Sequence, residues 1–135
     1  MEKITSLINK GQLLHFIFRG SDISKTRLDL SPEEEFLQLS CFELDEGATF
    51  KPHKHIVYEK VTNIAQESWV VINGSVEVTY YDLDDKVLCK KVLNSGDVSV
   101  TFRGGHNYKI LSPTAKVYEF KTGPYLGQEY DKVFI

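Results

Sequence analysis

Short runs in which apolar and polar residues alternate, separated by turn-forming residues, dominate the chain from residue 36 onward. A period of two puts every second side chain on one face of an extended segment, so these runs predict strands. They lie over residues 36–44, 49–55, 67–72, 75–81, 87–93, 98–102, 106–111 and 117–121, and β-branched and aromatic residues are frequent in them. Between them stand Gly47, Asn73-Gly74, the run 82–85, the run 94–97, Gly104-Gly105 and Ser112-Pro113, residues that favour turns. Asn73-Gly74 predicts a tight hairpin between its flanking runs, because both residues tolerate positive φ. Ser31-Pro32-Glu33-Glu34 predicts one capped helical turn: serine as N-cap, proline at the first helical position and Glu34 closing the capping box. Before that, residues 13–18 predict an edge strand and residues 4–7 either a strand or a helical turn.

About eight strands with almost no helix predict an all-β fold, either closed or built from two packed sheets, since a single flat sheet would leave exposed edges. With 135 residues the chain fits one domain spanning 1–135, with a barrel over about 36–121 and an N-terminal strand or arm over about 1–30. Phe16, Ile17 and Phe18 form an apolar cluster in that arm, which either covers the edge of its own barrel or meets a second copy.

Composition narrows the partners. Charged residues make up 26% of the chain and the net charge is only -3, with the lysines scattered, so there is no basic footprint for nucleic acid. The N-terminus lacks the apolar core of a secretion signal and no apolar run is long enough to span a bilayer, so the expectation is a soluble cytoplasmic protein with a small-molecule ligand and no membrane partner. Cys41 and Cys89, 48 positions apart in apolar runs, fit neither a disulfide framework nor a CxxC site and read as free thiols.

Chemistry concentrates in a few positions. His53 and His55 are one residue apart on a predicted strand, which places both imidazoles on one face, where they suit a divalent first-row ion. Glu67 shares a strand face with Trp69 and Val71, and a carboxylate in such surroundings needs a partner that a metal could supply. His106 follows the Gly104-Gly105 pair at the start of another strand. His15 has no partner at ligand spacing and reads as a surface or hydrogen-bonded strand histidine outside the site.

These residues form two patterns. Gly47-x5-His53-x-His55 followed by Glu67-x6-Gly74 resembles the first motif of the cupin family, and Gly96-x5-Phe102-x-Gly104-x-His106 resembles the second. The resemblance implies a cupin fold, a jelly-roll barrel also called a double-stranded β-helix. It also implies one divalent transition metal (iron, manganese, zinc or nickel) held by His53, His55, Glu67 and His106. The chain departs from the family in having eleven residues between His55 and Glu67 where the motif usually has three or four, which makes residues 56–66 an insertion. Glu59, three residues after His55, is therefore a rival carboxylate, although Glu67 alone keeps the spacing to Gly74. Phe102 stands where the second motif usually has proline, His106 comes one residue early and Ile110 replaces an asparagine.

Three imidazoles and a carboxylate leave one or two positions open on a metal for water, oxygen or a chelating substrate, so a dioxygenase and an isomerase or epimerase are both open. Gln38, Ser40, Lys51, Trp69, Tyr108 and Tyr118 are candidates to line the pocket, a polar and aromatic set suited to a hydroxylated ligand. The chain is similar to small bacterial cupins associated with surface-polysaccharide synthesis, which implies a carbohydrate or nucleotide-sugar ligand and a homodimer. Two alternatives stay open: a metal-independent nucleotide-sugar keto-isomerase or epimerase with histidines, His53 and His55 among them, as general base and acid, and a binding module without turnover.

Overall fold

The computed structural model describes residues 1–135 and is all-β, with antiparallel pairing throughout. Its strands are β1 (Glu2–Thr5), β2 (Leu13–Phe18), β3 (Leu28–Asp29), β4 (Ser40–Cys41), β5 (Glu67–Asn73), β6 (Ser75–Tyr81), β7 (Val87–Asn94), β8 (Val98–Thr101), β9 (His106–Ile110) and β10 (Lys116–Lys121). A five-stranded sheet has the order β1-β2-β8-β5-β10, a three-stranded sheet the order β7-β6-β9, and β3 pairs with β4. No helix is long and apolar enough to cross a membrane.

The two larger sheets pack face to face as a sandwich. Ile4, Ile17 and Val71 from the first meet Val76, Val78, Tyr80 and Leu93 from the second in one apolar cluster. The other face of the five-stranded sheet is also buried over β2 and β8, where Phe16, Phe18, Val98, Val100 and Phe102 lie under Leu28, Leu30, Leu37, Leu39 and Cys41. Both faces of these strands are covered, so β2 (LLHFIF) is buried along almost its whole length and β8 (VSVT) buries even Ser99 and Thr101. Phe16, Ile17 and Phe18 are thus interior residues, and β2 lies inside the sheet between β1 and β8, not at an edge. The covering segment is tied down by Glu35, whose carboxylate accepts hydrogen bonds from Arg103 and Gln66.

Four expectations change. Asn73-Gly74 does not close a hairpin: β5 pairs with β8 and β10, while β6 pairs with β7 and β9, so the dipeptide is a corner between sheets. Gly74 has φ +90°, and a Cβ there would lie 2.5 Å from Ser112 Oγ and Thr114 O, so the corner needs glycine for both conformation and space. Ser31 caps no helical turn. Its hydroxyl donates to Leu37 O at 2.7 Å and accepts from Leu39 N–H at 3.0 Å, bracing a loop. The strand expected over 36–44 shrinks to Ser40–Cys41, and the one expected over 49–55 does not form. Residues 42–66 contain no strand, and every residue from 42 to 61 is exposed. Without strands from this segment the sheets keep free edges and no closed barrel results.

Candidate functional site

The site is built where the inner faces of β5 and β9 approach each other. Along β5, Glu67, Trp69 and Val71 point between the sheets, and along β9 His106 and Tyr108 point back at them. His106 Nε2–H donates to Glu67 Oε1 at 3.0 Å, across 39 positions of sequence. Trp69 and Tyr108 stack with ring centroids 3.9 Å apart and planes 6° from parallel. The His106 ring lies 5.3 Å from that of Tyr108, so the imidazole–carboxylate pair stands on an aromatic floor.

Shielding shapes the electrostatics. The side chains of Glu67 and His106 are only 13% and 23% exposed. Burial pushes the Glu67 carboxyl up, but the hydrogen bond and charge of His106, together with the charges of Lys132 and Lys121, bring it below its ordinary value. Its carboxylate form is therefore favoured. His106 Nδ1, on the other side of the ring from the Nε2 that meets Glu67, is buried and has no hydrogen-bond partner. A buried ring nitrogen left without a partner is costly in an interior.

Behind the pair lies a polar layer. His15, 0% exposed, bonds through Nδ1 to Thr101 Oγ1 at 3.0 Å and through Nε2 to Tyr81 O at 3.2 Å. Burial pushes its pKa down to about 4, so it stays neutral near pH 7. It is the hydrogen-bonded strand histidine expected, although its closeness to His106 was not legible from spacing. Tyr80 and Tyr108 both reach Ser99 Oγ, at 2.7 and 3.5 Å, and burial raises both phenols well above their ordinary values. Trp69 Nε1–H donates to Glu119 Oε2 at 3.0 Å.

No family model, curated protein or solved structure matches the chain.

The residues expected to form a metal centre fall into two halves. Glu67 and His106 are joined. His53 and His55 lie close to each other, with ring centroids 5.6 Å apart, but on the exposed segment without strand structure, so the shared strand face expected for them is absent. No three His, Cys, Asp or Glu side chains come together as a metal-binding group. The donor types suit a divalent ion, but only two of the four donors are gathered, and the unpartnered Nδ1 of His106 points away from Glu67, which meets the ring at Nε2. Of the rival carboxylates, Glu67 adjoins His106, whereas Glu59 is on the exposed segment.

The pocket candidates scatter as well. Only Trp69 and Tyr108 belong to the Glu67–His106 face. Gln38 bonds to Pro32 O and Glu35 O beside a groove of about 230 Å³ on the outer face of the sheet, which Ser68, Val70 and Phe120 also line. Ser40 donates to Asp29 Oδ1, Lys51 is exposed next to His53, and Tyr118 is 62% exposed on β10. Alternation explains Tyr118: Val117 packs inward against the core, which turns its neighbour outward. Sequence reasoning passed over Glu119 and Lys121, although charges on the Val117 face of β10 break the usual apolar-in pattern and are a visible signal, and it passed over Asp131, which bonds to Lys121 from beyond the strand. Cys41 and Cys89 are free and half-buried.

Proposed function

We propose that the chain is a metal-binding cupin acting on a small polar metabolite, a carbohydrate or nucleotide-sugar, with Glu67 and His106 as the preformed half of its metal centre and His53 and His55 as the other half. The observation that carries this reading is the Glu67–His106 contact: residues from the two cupin-like motifs meet between the sheets. The jelly-roll barrel belongs to the same reading. It would require residues 49–55 to join a sheet edge, and β9, which carries His106, has one edge free. A bound ion would supply Lewis acidity and a place for a chelating substrate, with Trp69 and Tyr108 as the apolar surface beside it. The reading carries a homodimer with it, which a mass measurement in solution tests.

A second reading draws on the same pair without metal. A carboxylate that orients an imidazole is the arrangement of a general acid–base, so His106 with Glu67 would move a proton beside a sugar carbonyl. Elemental analysis of untagged protein prepared without chelators separates the two. The first reading expects close to one metal ion per chain, lost in His53→Ala, His55→Ala, Glu67→Ala and His106→Ala and kept in Glu59→Ala. A metal-free wild type that still binds a nucleotide-sugar, and loses turnover in His106→Ala, would replace it with the second.

A further inference from the structure

The segment 122–135 contains no strand and is mostly exposed, yet it passes beside the candidate site at two places. It leaves β10 at Lys121, which is opposite Glu67 in the β5–β10 register. Further along, Ile135 Cδ1 lies 2.5 Å from where a Cβ on Gly105 would be, directly before His106. The segment thus runs from the neighbour of one member of the pair to the neighbour of the other. Between these two places, Asp131 turns back to accept a hydrogen bond from Lys121 Nζ at 2.8 Å, with the two side chains only 12% and 22% exposed. The same ammonium lies 4.5 Å from the centre of the Tyr125 ring, and the charge of Lys132 acts on Glu67.

We propose that residues 122–135 are a strap that covers Glu67 and His106, latched by Lys121–Asp131 and held at Gly105 by Ile135, and that it must open for a ligand to reach the pair. This rests on Glu67 and His106 being the site, but not on a metal being there. The hold is suited to opening. Val133 and Phe134 are both 84% exposed, so little apolar surface resists release, and segments with few buried contacts open at a small fraction of the global unfolding cost. Gly105 leaves room for this contact, since a Cβ there would push the tip of the Ile135 side chain aside.

The four histidines supply the test, because they sit in three different environments. Acylation by diethyl pyrocarbonate, followed residue by residue by peptide mass spectrometry on the full chain after chelator treatment, reads the access to each ring. In the wild type His53 and His55 should react fast, His106 slowly and His15 hardly at all. Asp131→Asn and Ile135→Asp should each speed His106 by about fivefold, as expected for losing one shielded contact, and leave His15 unchanged. Unchanged His106 rates in both variants would overturn the strap. So would a rise at His15 in step with His106, because the tail would then be part of the folded core. If chelator alone brought His106 of the wild type to the rate of His53, the protection would belong to a metal, and the strap would again be refuted while the metal reading stood.

Discussion

Two stretches of this chain have similar strand-like patterns and different fates. Residues 75–81 alternate inward and outward side chains and form β6, with Val76, Val78 and Tyr80 fully buried between two partner strands. Residues 49–58 contain Phe50, Ile56, Val57 and Tyr58, an aromatic and β-branched content of the same kind, and remain exposed without a partner. Alternation is therefore sufficient to make a segment able to pair, while pairing itself depends on an edge and an apolar face being available at the right distance. β6 has both, in β7 and β9. The candidate site is divided along the same line, with Glu67 and His106 on paired strands and His53 and His55 on the unpaired segment.

The largest test of that contrast is a deletion in the paired region. Phe102 is 0% exposed and packs against Phe16 with ring centroids 5.7 Å apart, so Phe102→Ala should cost about 4 kcal/mol in denaturant-induced unfolding. A loss below about 1 kcal/mol would mean that the layer over β2 and β8 is not a packed core.

Somewhat smaller, and visible only through pH, is the effect of His15. Its folded pKa of about 4 lies below the ordinary value of 6.5, so between these two values the unfolded chain binds more protons than the folded one. Stability from this residue is complete above about pH 6.5 and falls as the pH drops toward 4, by about 3 kcal/mol in all. His15→Gln, which cannot titrate, should remove that part of the acid slope while keeping a group able to bond to Thr101. Wild-type and variant unfolding curves that shift in parallel from pH 7 to pH 4.5 would show that His15 is not buried as a neutral ring.

How much of this was legible in sequence follows from what each element depends on. Residues 13–18 and 75–81 were readable because strand length and alternation are local properties, and both strands form over those residues. The role of Asn73-Gly74 was not. Positive φ at Gly74 is a local demand and was readable, but whether the strands on either side pair with each other depends on β8, β9 and β10, which arrive later in the chain. The two cupin-like motifs bring Glu67 and His106 to one site as a resemblance, while the physical cause of their contact, the packing of two sheets, leaves no local signal. Trp69 is legible as a neighbour of Glu67 on one strand face, but its stacking on Tyr108 is not, since stacking across sheets leaves no spacing to find. The strands expected over 36–44 and 49–55 failed for the converse reason: each has a suitable pattern, and pattern alone cannot supply a partner.

The smallest expected effect bears most directly on the divided site. Val57 is fully exposed, so Val57→Asp should change stability by no more than about 0.5 kcal/mol in the chelator-treated protein. If a divalent ion draws His53 and His55 to Glu67 and His106, the segment must lose its exposure, and an aspartate close to its apolar residues then opposes docking. In that case the wild type gains stability on addition of zinc, by the mass-action term of a ligand that binds only the folded state, and Val57→Asp gains measurably less. Equal gains in both proteins would mean that the ion binds without ordering residues 49–58. No gain in either would leave the two halves of the site apart, as two histidines in solvent and a carboxylate–imidazole pair between the sheets.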